Sequence, residues 1–287
     1  MISRRSFALG LASSLVAAAC RRQAHPAKAP GDLRVVSLSP STTEAMGALG
    51  ALAQLVGRSR YCDYPKEVLA LPEVGGYVDP NLEAIVGLAP DLVCGARGPA
   101  GASIARELED RGIATYFPPT ETFAEIDAMI RGLGDRLARG ADVLPVLAAM
   151  HGQEDAIARA LGEVPKLRVL LLFGVEPIVA SGPGSFGDDV LVHAHATNVV
   201  LRGGTYPSLD LEAVLALDPD VVVNAAVAEE HGAQRIGKTA PGWKELRAVK
   251  AGKVLSLDDE RVLRPGPRAA EGAKVLAQAL YPDRVIP

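Results

Sequence analysis

The side chains able to do chemistry are few, and their spacing argues against most of it. Three cysteines stand at 20, 62 and 94, too few for a disulfide scaffold and without zinc-type spacing. Of the five histidines, His25 falls in a polar leader, His151 in a helical stretch and His231 in a Gly-flanked loop. His193 and His195 resemble a metal pair, yet the pattern over 187–200 predicts a helix. Residues two apart on a helix point to different faces, so the two cannot share an ion, and no metal site is expected. No histidine falls at a predicted strand end, where a hydrolase would need its base. No catalytic residue is therefore expected, and an α/β hydrolase is kept only as the rival class. The run Ser181-Gly182-Pro183-Gly184-Ser185-Phe186-Gly187 lacks the Lys-Ser/Thr ending of a phosphate loop and the spacing of a nucleophile elbow. It reads as a turn before a helix. What remains is binding without chemistry.

Composition narrows what can be bound. The chain has 287 residues, 30 basic and 34 acidic, for a net charge of −4, and 48% of its residues are hydrophobic. This is a folded protein with enough chain for two lobes, and it has no basic cluster with which to hold nucleic acid. Only twelve residues are aromatic, six of them Tyr, so the position of each one is informative.

The first twenty residues read as an export signal: a basic start, an apolar run from Phe7 to Ala19, then Cys20. Ser3-Arg4-Arg5-Ser6-Phe7 resembles the twin-arginine motif. Ala17-Ala18-Ala19-Cys20 resembles a lipoprotein cleavage box, with Ala17 where Leu is usual, so Cys20 is the expected lipidation site and plain cleavage near Ala19 the alternative. Loss of residues 1–20 removes two Arg and no acid, which deepens the charge to −6. Residues 21–32 are polar and rich in Pro and Ala, a flexible tether. The mature chain is expected outside the cytoplasm, periplasmic and anchored through lipid if Cys20 is modified. There Cys62 and Cys94 would oxidise if they met, and whether they do is left open.

The rest alternates short β-branched runs with helical stretches, the pattern of α/β folds. Strands are predicted over 34–38, 55–58, 91–95 and 114–117, then over 168–173, 178–181, 220–224 and 254–257. The segment Asn81-Leu82-Glu83-Ala84-Ile85-Val86-Gly87-Leu88-Ala89-Pro90-Asp91 aligns with Asp210-Leu211-Glu212-Ala213-Val214-Leu215-Ala216-Leu217-Asp218-Pro219-Asp220. Each is a short helix ended by Pro and followed by Asp leading into a buried strand, and each follows a Tyr. The repetition implies two lobes of similar construction: residues 33–122 and 166–287. Between them, 123–165 carries helices over 123–137 and 144–161, separated at Gly140, with Pro145 in the first turn of the second. They are either two surface helices or, in the second case, a strut between lobes. At the start of the first lobe, Ser41 with Glu44 three residues on has capping-box spacing. It places a turn, 39–42, with free backbone N–H groups at the carboxyl end of the first strand, where open α/β sheets bind ligands.

With these residues in view, the chain resembles a known family. Val35-Val36-Ser37-Leu38-Ser39-Pro40-Ser41-Thr42-Thr43-Glu44, then Leu49-Gly50, Leu55-Val56-Gly57 and Tyr64-Pro65, are similar to the signature of the substrate-binding proteins of ABC importers for vitamin B12, ferric siderophores and haem. The nearest likeness is to the vitamin-B12-binding branch. The resemblance implies two Rossmann-like α/β lobes joined by a single long backbone helix, with the ligand cleft between them. It also implies the partners: a small chelate ligand and the permease subunits of an importer, met by a monomer with no cofactor of its own. In B12 and siderophore members one surface Glu per lobe pairs with permease arginines. The matching residues here are Glu83 and Glu212, and their duplication suits a pseudo-twofold partner.

For the ligand, Tyr61 in the loop to Pro65 resembles the corresponding loop of B12-binding members. Tyr77 and Tyr206, each before a repeat helix, should face each other across the cleft, where flat rings suit a planar corrin. B12-binding members carry Trp at both places, so Tyr is a conservative departure; a further cleft Trp is replaced by small residues around Ala96. Arg97 and Arg264 lie in loops expected at the cleft and suit amide, carboxylate or phosphate groups. A siderophore or haem is the alternative ligand.

Overall fold

The computed structural model describes residues 32–98, 101–226, 236–237 and 240–287. The export segment with Cys20, the tether as far as residue 31, His25 and His231 lie outside these residues.

The first lobe begins with strand β1 (Val35–Ser37), helix α1 (Pro40–Ala48) and β2 (Leu55–Arg58), then α2 (Leu82–Gly87), β3 (Leu92–Cys94), α3 (Gly101–Glu109) and β4 (Ala114–Tyr116). Its four strands are all parallel, in the order β2-β1-β3-β4. Parallel strands joined through helices put every strand's carboxyl end on one edge, and Arg58, Cys94 and Tyr116 end there.

Helices α4 (Phe123–Arg136) and α5 (Gly140–Leu161) follow. The boundary between them differs from the sequence expectation. Gly140 opens α5 instead of separating the helices, and the turn is Leu137 to Arg139, with Ala138 in the left-handed region at φ 54°. Pro145 is then the sixth residue of α5, inside the helix, not in its first turn. The turn closes tightly because a Cβ on Gly134 would stand 2.3 Å from Val143 Cγ2; only glycine lets α4 and α5 approach there.

The second lobe contains β5 (Leu167–Val175), β6 (Ile178–Ala180), α6 (Phe186–His193), β7 (Ala196–Asn198), β8 (Ser208–Leu209), α7 (Leu211–Leu217), β9 (Val221–Asn224), α8 (Arg247–Lys250), β10 (Val254–Ser256) and α9 (Ala269–Leu280). The sheet order is β10-β9-β5-β6-β8, with β7 alongside the start of β5 and β6 antiparallel to its neighbours. The helix expected over 187–200 ends at His193. Apolar spacing carries on through 199–200, but His195 takes φ 61° and residues 196–198 pair with 167–169. The long strand β5 offers a free edge there, and its ladder overrides the helical period.

The duplication reaches individual hydrogen bonds. Asn81 Oδ1 accepts from Ala84 N at 3.0 Å, and Asp210 Oδ1 from Ala213 N at 2.7 Å. Asp91 Oδ2 accepts from Arg34 N at 2.9 Å, and Asp220 Oδ2 from Arg168 N at 3.0 Å. The guanidinium of each Arg then binds a carbonyl at the end of the repeat helix: Leu88 at 2.7 Å, Leu217 at 2.8 Å. Ala89 and Asp218, each just before the proline, share a left-handed φ of 45° and 39°. Each lobe thus stops its helix and starts its strand with the same device.

One apolar core runs through both lobes. Val35 and Met46 from the first, Ile126, Met129 and Ile157 from α4 and α5, and Val169 and Leu276 from the second belong to a single buried cluster. Each such side chain contributes about 1.5–3 kcal/mol by burial. The two sheets are therefore mounted on a shared helical spine, of which α5, with 22 residues, is the long element.

Candidate functional site

The two strand-end edges meet the spine where the chain leaves β4 for α4. Beyond the first sheet, two segments run side by side: Gly95 N donates to Tyr116 O at 3.1 Å and Arg97 N to Pro118 O at 2.9 Å. Tyr77 rests on this ledge, donating its hydroxyl to the Arg97 carbonyl at 3.0 Å. A Cβ on Gly98 would fall 2.0 Å from that hydroxyl, so glycine is required beneath the ring. From the second lobe, Tyr206 donates its hydroxyl to Glu121 Oε2 at 2.8 Å, and its ring meets Phe173 edge-on at a 5.4 Å centroid separation. The two tyrosines sit at equivalent positions, four residues before the capping Asn81 and Asp210. Burial raises both phenol pKa values, and the Glu121 charge raises both further; Tyr206 also feels Tyr77. Both are neutral donors at any physiological pH.

Glu121 was not singled out from the sequence. Its Oε2 also accepts from Phe186 N, at 2.8 Å, the first amide of α6. Phe123 N donates to Asp189 Oδ2 at 2.7 Å. The entry to α4 is thus stitched to α6 of the other lobe by two carboxylates. Tyr61 is half exposed on the first lobe, with Arg60 over its ring at 5.7 Å. Arg97 is exposed, and its guanidinium makes no ion pair among the described residues.

The turn after β1 departs from expectation. Ser39, not Ser41, caps α1; its Oγ accepts from Thr42 N at 3.4 Å and from Ala96 N at 2.9 Å. The turn is buried, so its amides serve the fold and are not presented to a ligand. Glu44 has no capping role. It is buried and accepts from Arg268 Nε at 2.9 Å, with Arg268 Nη2 and Arg264 Nη1 on its other oxygen. Arg264 also holds Asp63 and Glu260. Burial would pull the Asp63 carboxyl up, but the hydrogen bond and charge of Arg264 outweigh it and hold the group below the usual range. Arg264, expected as a ligand contact, is committed to three carboxylates in a lock between α1, the 61–65 loop and the segment before α9. Arg268 completes the lock by stacking over Tyr64 at 3.8 Å. Sequence reading missed this because 220 residues separate Glu44 from Arg264 and no local pattern links them.

Glu83 and Glu212 are both exposed at the second position of α2 and α7. Each of these helices connects to a parallel strand that follows it, so its first turn lies toward the carboxyl-end edge of its sheet.

Cys62 and Cys94 are free and buried. A layer of hydroxyls covers them: Thr43 Oγ1 lies 3.1 Å from Cys62 Sγ and 2.8 Å from Ser37 Oγ, and Ser37 lies 2.7 Å from Thr42. Burial pushes both thiols up, Cys94 to about 12. At pH 8 neither is a thiolate, and the thiolate is the reactive form. We expect a thiol reagent to leave the folded chain beginning at Arg21 untouched at that pH and to count two thiols once it is unfolded. A count of zero would mean a disulfide.

His193 and His195 are committed to different partners. His193 Nδ1 lies 3.1 Å from Glu154 Oε2 and stacks on Phe123, whereas His195 Nε2 lies 2.7 Å from Val164 O. The Gly-rich run forms the turn into α6, capped by Ser185 through Asp188 N at 3.2 Å.

Two α/β lobes on one shared helical spine define a bilobal binding-protein fold. The chain belongs to the periplasmic binding protein family, whose model matches residues 35–261. It is 29% identical over 257 residues to an uncharacterized ABC transporter substrate-binding lipoprotein of Bacillus subtilis, covering 87% of this chain and 80% of the relative. It is 31% identical over 248 residues to the vitamin B12-binding protein of Salmonella typhimurium, covering 86% of this chain and 90% of the other. Among solved structures, a periplasmic haem-binding protein from Pseudomonas aeruginosa superposes with a TM-score of 0.76 at 29% identity, over 88% of this chain and 94% of that one. The family expected from the Val35–Pro65 signature is the one found.

Proposed function

We propose that this chain is the extracytoplasmic solute-binding component of an ABC importer, and that it captures a corrinoid between its lobes. The coarser part, a binding component of the B12, haem and siderophore type, follows from family membership and from what the relatives are named for. The corrinoid reading rests on one observation above others: Tyr77 and Tyr206 stand at equivalent positions of two lobes, one held by the Arg97 carbonyl and the other by the Glu121 carboxylate. Two neutral phenol rings offer flat apolar faces to a macrocycle, with Tyr61 at the rim and Arg97 for a polar substituent. Arg264 is left out of this contact set, since its charge is already matched. The chain binds and performs no catalysis.

In this reading residues 1–20 direct export, Cys20 carries a lipid anchor, and 21–32 tether the domain to the membrane; the Bacillus relative is named a lipoprotein. Lobes 33–122 and 166–287 close on the ligand about the 123–165 spine, as a monomer, and Glu83 and Glu212 present it to the permease. Calorimetric titration with cyanocobalamin, haemin and a ferric hydroxamate tests the ligand. We expect cyanocobalamin to bind at micromolar or lower concentration, and Tyr77→Ala with Tyr206→Ala to weaken it at least tenfold. Tight binding of haemin or the hydroxamate alone would reassign the cleft to that ligand.

A further inference from the structure

We propose that Glu121, together with Arg97, makes the cleft selective for a ligand that bears carboxamides and against one that bears carboxylates. The inference rests on the cleft being the ligand site, as proposed above. The two residues stand on adjacent segments: the 95–97 run is hydrogen-bonded to 116–118, and Glu121 follows three residues later. Each is tied to one of the two tyrosines at equivalent repeat positions. Tyr77 is held by the Arg97 carbonyl and Tyr206 by the Glu121 carboxylate. Burial raises the Tyr77 phenol, and the Glu121 charge raises it further.

Oε2 of Glu121 is used twice, by Tyr206 and by Phe186 N. Oε1 has no hydrogen-bond partner among the described residues, and the side chain is only half buried. The Arg97 guanidinium is exposed and likewise unpaired among them. The ledge therefore offers one group that only donates and one that only accepts. A primary carboxamide matches both, its oxygen to Arg97 and its NH2 to Glu121. A carboxylate matches Arg97 alone and meets a like charge at Glu121, inside a cleft where closure removes screening water. The pairing discriminates by repulsion as much as by attraction. A chelate fringed with propionamides passes, and one fringed with propionates is disfavoured.

The test compares two probes on two proteins. Cyanocobalamin, whose ring substituents are amides, and its acid-hydrolysed monocarboxylate forms are titrated by calorimetry at neutral pH into the wild-type chain and into Glu121→Gln. Glutamine keeps an acceptor for Tyr206 and Phe186 N and removes the charge, and an unchanged thermal midpoint verifies the fold. We expect the wild type to bind the all-amide form at least tenfold more tightly than the monocarboxylates. Glu121→Gln should shrink that ratio to threefold or less, mainly by improving carboxylate binding. A preference that survives unaltered in Glu121→Gln, with cyanocobalamin still bound, overturns the inference and leaves the proposed function standing. If the wild type binds neither corrinoid, the corrinoid reading itself falls.

Discussion

Replacing Glu83 and Glu212 together with arginine should abolish ligand uptake while leaving ligand affinity in solution within about twofold of the wild type, a ratio worth only about 0.4 kcal/mol. The two carboxylates stand at equivalent sites on α2 and α7, exposed, toward the carboxyl-end edge of each lobe's sheet. Among the described residues neither forms an ion pair, so reversing their sign costs the fold only the favourable charge each places in the first turn of its helix, about 0.3–1 kcal/mol apiece. A partner with a basic group opposite each lobe would lose two attractions and acquire two repulsions, and like-charge juxtaposition costs several kcal/mol. A single reversal should weaken uptake and make it more sensitive to salt, because rim charges act mainly on the rate of encounter. Uptake by cells that depend on this chain, set beside a titration on the purified protein, separates the two effects. Loss of binding in the double variant would mean that these residues belong to the cleft or the fold and have no part in docking.

The second large effect lies behind the cleft. Glu44→Ala should destabilise the protein by about 3 kcal/mol, the range for removing one partner of a buried ion pair. The Glu44 side chain is 2% exposed, and Arg264 and Arg268 are 16% and 20% exposed. Truncation leaves two partly buried guanidinium groups facing an empty space, with only Arg264 keeping other carboxylates. Glu44→Gln, which keeps an acceptor without the charge, should lose less than half as much. Urea denaturation reads both values from the midpoint and slope. A loss under 1 kcal/mol for the alanine variant would show that Asp63 and Glu260 suffice and that the lock is not built on Glu44. The lock bears on function, since it fixes α1 of one lobe to the segment before α9 of the other.

Local signals determined a good deal of this protein. β-branched runs broken by Gly and Pro marked eight strands to within a residue or two, because β-branched side chains suit a pleated strand and Gly and Pro end it. The repeated helix-Pro-Asp-strand segment announced two lobes, since the same stop-and-start device needs the same residues each time it is used. Even the hydrogen bonds of Asn81 and Asp210 follow from residue type at a helix start. What only the tertiary structure decided is where charges and edges meet. Ser41 and Glu44 have capping-box spacing, yet Glu44 went to two arginines more than 200 residues away, because burying that carboxylate requires cations the local chain lacks. The 187–200 run has helical spacing throughout, yet its second half became β7, because the edge of β5 supplied a ladder. Gly140 and Pro145 suggested a break that close contact at Gly134 shifted to residues 137–139. Glu121, placed among turn residues with no pattern of its own, acquired its partners only when the second lobe brought Tyr206 and Phe186 to it. Periodicity is a property of neighbours along the chain; a polar site between lobes is a property of which distant groups must satisfy one another, and no window of sequence contains it.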